Sequence, residues 1–356
     1  MKNQIFIKVV LFCLLIALVL PSVQAAPASS TYSRRFGLFG DWVVKMDFDG
    51  RSYESILYFT RDKDGNRIAQ WISFRGVSEV KDLKYEDGKL SFSRESRNRE
   101  GQTTTSKFTG TIKDRKLTGT FKSDSGEYKV EGAPAKRMSR AVGSWAIKFK
   151  IGEREITSTL VVKTVKAEKA GEEDKLTAEW QSQRGEHQVT DVQYERGKLT
   201  FKRKSKIEDR QVDSAFEGDI DRQTDTLTGT MKSESGEIKV EGKRIGAPVI
   251  GTWNLDVTSE RGSRKQRLEI NRDMSGLYGA TPIKKVNIED NKVSFKIVME
   301  FGERKFEINF AGKIEDTKLT GELKSSMGTS TARTSTVTGK KVVRTFRRSG
   351  TSGTTR

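Results

Sequence analysis

The chain has 356 residues, with 66 Lys and Arg against 48 Asp and Glu for a formal net charge of +18, and 34% of it is hydrophobic. At roughly 100–200 residues per domain this length holds two or three domains, each able to bury a core. A charged fraction of 32% excludes an integral helical membrane protein beyond any single segment, and 32 Gly with only five Pro and 18 Phe exclude wholesale disorder.

Residues 1–25 carry Lys2 and Lys8, an apolar run from Val9 to Leu20, then Pro21 and Val23-Gln24-Ala25. This pattern predicts a secretory signal peptide cut after Ala25 or Ala26, because a run of about a dozen residues is too short to span a bilayer. The single cysteine, Cys13, lies inside it, so the mature chain has no disulfide and no thiolate chemistry. No Asn begins an Asn-x-Ser/Thr sequon, which favours a bacterial envelope. The expected location is periplasmic or secreted, with no transmembrane segment in the mature chain. Residues 26–35 form a linker.

Three copies of one unit follow. Gly40-Asp41-Trp42, Gly143-Ser144-Trp145 and Gly251-Thr252-Trp253 open them, with tryptophans 103 and 108 residues apart. Each opening is followed by the same landmarks in the same order. Gly88-Lys89-Leu90-Ser91-Phe92 returns as Gly197-Lys198-Leu199-Thr200-Phe201 and Asn291-Lys292-Val293-Ser294-Phe295. Phe108-Thr109-Gly110, Phe216-Glu217-Gly218 and Phe310-Ala311-Gly312 come next, then Leu117-Thr118-Gly119, Leu227-Thr228-Gly229 and Leu319-Thr320-Gly321.

Within each unit the hydrophobic period is two: Trp42, Val44, Met46 and Phe48 alternate with polar neighbours, as do Trp145, Ile147, Phe149 and Ile151. One face is buried and one wet, as in an antiparallel sheet. Eight runs per copy joined by short turns such as Asp87-Gly88, Ser125-Gly126 and Ser235-Gly236 predict an up-and-down meander. Closure into a barrel hides the apolar face and removes the edges. The predicted fold is all-β: three tandem eight-stranded antiparallel meander barrels over 36–137, 141–244 and 249–342. In the third copy the eight runs begin near Trp253, Gln266, Leu277, Lys284, Lys292, Lys305, Lys318 and Ala332. Ala133-Pro134-Ala135 and Gly246-Ala247-Pro248 are expected to be the linkers between barrels. The strand glycines face inward, leaving space either for Trp and Phe side chains or for a ligand.

The Gly-x-Trp openings and the Leu-Thr-Gly-Thr at Leu117–Thr120 and Leu227–Thr230 resemble the calycin group, the lipocalin-like and avidin-like small barrels of secreted bacterial proteins. The resemblance implies closed barrels with capacity for a small ligand. It does not extend to biotin, since no matching set of Asn, Ser, Tyr and Asp aligns.

Candidate ligand platforms are the aromatics: Trp42, Trp145 and Trp253 at the openings, Trp71 and Trp180, each 14 residues before Tyr85 and Tyr194, and Tyr278 in the third copy. An inward Trp in a small barrel serves either as core or as a ligand platform.

The charge is concentrated in the tail. Residues 323–356 hold eight basic residues and no acid, whereas residues 36–137, 138–246 and 247–322 are each within four charges of neutral. Such barrels lack the basic face of a nucleic-acid-binding domain. Residues 343–356, with Arg344, Arg347 and Arg348 among Ser, Thr and Gly, predict a disordered basic tail. It either solubilises the chain or docks it on an anionic cell-envelope polymer.

Catalytic machinery is not legible. The one histidine, His187, sits in a polar run and is expected at the surface, with no nucleophile or orienting partner marked beside it. One His without a mature Cys makes no His/Cys metal site, and the Gly-Lys-Leu segments read as hairpin turns and not as phosphate loops. The expectation is a non-enzyme without cofactor or metal, binding a small partly apolar ligand in or beside its barrels. The alternative is an extracellular spacer or adhesive protein.

Overall fold

The computed structural model describes residues 38–343, apart from 49–50, 98–101, 125, 168, 170–172, 302–303 and 329–330. The expected signal peptide, the expected 26–35 linker and the tail arginines Arg344, Arg347 and Arg348 lie outside the described residues.

The protein is all-β, in three tandem antiparallel meanders. The first comprises β1 (Gly40–Phe48), β2 (Arg51–Arg61), β3 (Arg67–Ser73), β4 (Gly76–Glu86), β5 (Lys89–Arg97), β6 (Thr103–Lys113), β7 (Lys116–Ser123) and β8 (Gly126–Pro134). The second comprises β9 (Gly143–Ile151), β10 (Arg154–Val165), β11 (Lys175–Gln181), β12 (Glu186–Glu195), β13 (Lys198–Ile207), β14 (Arg210–Ile220), β15 (Thr226–Ser233) and β16 (Gly236–Arg244). The third comprises β17 (Gly251–Ser259), β18 (Gly262–Ile270), β19 (Gly276–Tyr278), β20 (Thr281–Ile283), β21 (Val286–Glu289), β22 (Lys292–Phe301), β23 (Arg304–Glu315), β24 (Lys318–Met327) and β25 (Arg333–Lys341).

The first sheet closes: Trp42 on β1 faces both Leu57 on β2 and Pro134 on β8. The second and third repeat the pairing of first strand with last, Trp145 opposite Arg244 and Trp253 opposite Lys341. Their ladders are open at one seam each, between β11 and β12 and between β20 and β21. The third sheet has nine strands instead of the expected eight. The run predicted from Leu277 is cut into β19 and β20 by a turn at Gly279, which has φ +63°. That glycine lies against the Ser73 carbonyl of the first barrel, where a Cβ would collide.

The strand glycines have one purpose in all three sheets. Gly110 faces Gly119, Gly218 faces Gly229 and Gly312 faces Gly321 across adjacent strands. Each pair is roofed by the phenylalanine two residues upstream: a Cβ on Gly119 would lie 2.5 Å from Phe108 Cζ. That ring stacks on the neighbouring strand's phenylalanine, Phe92 on Phe108 and Phe201 on Phe216 at 4.8 Å, Phe295 on Phe310 at 4.9 Å. The space the glycines open is thus taken by the protein's own rings.

The expected linkers are not free. Ala133 and Pro134 belong to β8 and pair with β1, and Ala135 donates its N–H to the Asp41 carbonyl at 2.8 Å. Lys341 donates to the Pro248 carbonyl at 2.7 Å. Pro134 is tolerated because it is the last residue of β8, where the ladder runs out.

The first and third barrels interlock. Outward Ile56 and Ile72 of the first are buried against Ala280 of the third, with Tyr58, Val77 and Leu277 around them. The β3–β4 turn carries Phe74 into the third barrel's core, edge-on to Phe306 at 5.5 Å. Gln266 of β18 donates to the carbonyls of Ser73 and Phe74 at 3.3 and 3.1 Å.

Candidate functional site

Register sorts the six sequence-singled aromatics into two layers. Trp42, Trp145 and Trp253 begin the first strand of each barrel. Trp145 and Trp253 donate their indole N–H to the carbonyls of Ala141 and Val249, each at 2.9 Å. Arg244 covers the Trp145 ring at 3.9 Å, and Lys341 covers Trp253 at 5.5 Å. Trp71, Trp180 and Tyr278 are equivalent to one another, each opposite the leucine that faces the opening tryptophan: Leu57, Leu160 and Leu268. All six are buried, and even the most open, Trp42 and Trp180, are only 6% and 5% exposed. The structure does not gather them into one site. It places two in each barrel, and those of the second layer pack against phenylalanines, with Trp71 edge-on to Phe121 at 5.2 Å, Trp180 6.2 Å from Phe201 and Tyr278 6.3 Å from Phe295.

Two open cavities among the described residues lie outside these cores. One, of about 290 Å³, sits between the second and third barrels and is lined by Ile245, Met274, Val286 and Ile288 among others. The other, of about 320 Å³, opens on the second barrel beside His187, Lys204, Ser205 and Lys206.

His187 is half-buried, not a free surface residue. Its Nε2–H donates to the Arg184 carbonyl at 3.0 Å, which leaves Nδ1 to accept from the Ser205 hydroxyl at 2.9 Å. Burial pushes the ring below the usual histidine range, against the hydrogen bond to Arg184, and the nearby Arg203 cation lowers it further. The neutral tautomer is therefore the resident form at neutral pH.

Sequence inspection passed over Arg94 and Arg203. They continue the inward faces Leu90-Phe92 and Leu199-Phe201 by two residues, so strand parity alone marks them. Each guanidinium lies over the barrel's second tryptophan, Arg94 at 5.0 Å from the Trp71 ring and Arg203 at 4.4 Å from Trp180. Their Nε atoms are shielded from solvent and make no hydrogen bond. Burial pulls Arg203 down to about 10, so it remains charged at neutral pH. Burial also lowers Arg94, with Arg75 adding to the effect.

Among the described residues no group of three or more His, Cys, Asp or Glu is placed to hold a metal ion, and no helix is long and apolar enough to cross a membrane. No family model matches this chain, and no curated protein matches it. Solved structures do. An outer-membrane-type protein of Bacteroides fragilis is 11% identical, matching 85% of this chain and 96% of its own, with a TM-score of 0.22. Transferrin binding protein B of Haemophilus parasuis is 9% identical over 85% of this chain and 75% of its own, at TM-score 0.19. A protein of unknown function from Nostoc punctiforme is 8% identical over 86% and 96%, also at 0.19.

Proposed function

We propose that this chain is a non-catalytic, secreted scaffold protein whose barrels, at 36–137, 141–244 and 249–342, are packed spacers held as one body. The observation that carries it is the filled interior: the Phe–Phe stack over a Gly–Gly pair occupies the middle of all three barrels. A cavity for a drug-sized apolar ligand is several hundred Å³ and enclosed. The clamps between first and third barrels favour a fixed presentation of surface over independently moving modules. The basic tail, with Arg344, Arg347 and Arg348, supplies docking to an anionic envelope polymer.

Two measurements test this. The neutral dye Nile red should show no saturable fluorescence gain with the folded protein; a saturable one-per-barrel gain would return the function to apolar ligand binding. Retention on an anionic matrix should be salt-sensitive for the full chain and lost on deleting 343–356; equal retention of both forms removes the tail from the proposal.

A further inference from the structure

The three barrels are an internal comparison, and they differ at one level of the interior. Where the first two have Arg94 opposite Ser106 and Arg203 opposite Ser214, the third has Ile297 opposite Ile308. Where they have Trp71 and Trp180, the third has Tyr278. Ser55 and Ser158, each facing the first strand, are replaced by Gln266, which is engaged by the first barrel's turn. At this level the third barrel has isoleucines where the first two have Arg and Ser, is covered by Phe74, and keeps Gln266 and the buried Tyr278 hydroxyl, with Arg264 beside it, as its polar groups.

The fold does not require the arginines, since the third barrel packs isoleucine in the same register. A cation taken partly out of water without a partner opposes folding. Two other buried arginines obey that rule, Arg244 with Asp225 at 3.1 Å and Arg267 with Asp41 and Glu269, whereas Arg67 and Arg272 share with Arg94 and Arg203 a shielded, unpartnered Nε and no ion pair among the described residues. Arg94 and Arg203 form no ion pair with any described residue, and their Nε atoms lack partners. The Ser158 hydroxyl in the second barrel is buried without a partner as well. Each guanidinium lies over an indole, which fixes its plane while leaving its donors free. Arg75 adds positive charge beside Arg94, and in the second barrel the inward Ser205, two residues beyond Arg203, lines the cavity that His187 also borders.

We infer that the mouths of the first and second barrels each bind a small oxyanion, a carboxylate or phosphate group, on Arg94 and Arg203, and that the third barrel does not. A planar fork of donors suits such groups, and the partly dry setting strengthens the bond.

The test uses the full chain and follows the arginine Nε–H groups by heteronuclear NMR, since shielded ones exchange slowly. Inorganic phosphate and, separately, acetate are titrated in, with chloride holding ionic strength constant. The expected result is saturable shifts at Arg94 and Arg203, none at Arg244 or Arg267, and two sites per chain. Arg203→Ile, which copies the third barrel, should fold and remove one site; Arg94→Ile should remove the other. If an isoleucine variant fails to fold, Arg203→Lys keeps the charge without the fork and should weaken binding at that site about tenfold. No saturation with either anion by about 100 mM, or shifts shared equally with Arg244 and Arg267, overturns the inference. Retention of both sites in the double isoleucine variant overturns it too. Saturation by phosphate alone or acetate alone supports it and names the anion.

Discussion

Arg267 of the third barrel places both terminal nitrogens on the carboxylate of Asp41 in the first, Nη1 to Oδ1 at 2.7 Å and Nη2 to Oδ2 at 2.6 Å. Burial works against this guanidinium, but Asp41, with Glu269 and Tyr58 adding, holds it above the ordinary arginine range. The fork joins residues 226 positions apart and sits beside the apolar patch of Ile56, Ile72 and Ala280. It therefore fixes which surfaces of the two barrels meet.

Removing one partner leaves the other charge buried, so Asp41→Asn should cost about 3 kcal/mol of stability, the low end for such pairs because Glu269 remains. Urea unfolding of the full chain measures it. Replacing both residues, Asp41→Leu with Arg267→Met, should recover most of the loss. A cost under about 0.5 kcal/mol for the single variant would show the pair to be a surface contact.

Phe74 is half-buried in another barrel's core, so Phe74→Ala should lower the stability of the third barrel by about 2 kcal/mol. A fragment of 247–342 should give β-rich circular dichroism but unfold at lower urea than the same barrel in the full chain. Equal midpoints for fragment and full chain would mean that the turn adds nothing.

Gly119 cannot carry a side chain without displacing Phe108 Cζ and the Thr109 carbonyl, each 2.5 Å from where its Cβ would stand. The backbone oxygen has nowhere to go, so Gly119→Ala should destabilise by at least about 1–3 kcal/mol despite its better strand entropy. Thermal unfolding monitored at Trp71, which packs on the same rings, reads the effect. A neutral or stabilising outcome contradicts the packing described.

The single histidine offers a clean pH readout. His187 is depressed below 6.5 in the folded chain, so folding favours its neutral form. Its contribution to stability is present above about pH 6.5 and is lost as pH falls from there through the folded value. The one imidazole resonance should titrate below 6.5, and Arg203→Ile, by removing the neighbouring cation, should move it upward. A midpoint at or above 6.5 in the native chain contradicts the buried, neutral assignment.

The parts of the fold legible in the sequence are those governed by period two and repeated three times. Phe108, Gly110 and Gly119 announce an inward face because their spacing recurs as Phe216, Gly218, Gly229 and as Phe310, Gly312, Gly321. The same parity marked Trp180 as inward, and it applies equally to Arg203, whose charge disguised it as a solvent residue. What could not be read was contact between barrels. Ser73-Phe74-Arg75-Gly76 and Ser182-Gln183-Arg184-Gly185 are equivalent segments of two copies, each with its serine hydroxyl accepting from the arginine N–H. Only Phe against Gln distinguishes the one that enters a neighbour. The split of the predicted Leu277 strand has the same origin, since Gly279 bends where the first barrel's turn arrives.

That turn also imposes an order in time. A chain emerges from its N-terminus and its domains fold as they appear, so Phe74 stands finished and uncovered while the chain up to Gln266, 192 positions further on, is still being made. The third barrel reaches its final form only by closing over a piece completed long before it, with the second barrel as the tether that sets how far the two ends must search. Among the three barrels, assembly is thus expected to end with the third docking onto the first, and a chain stopped short of β18 would leave an aromatic residue exposed on an otherwise complete first barrel.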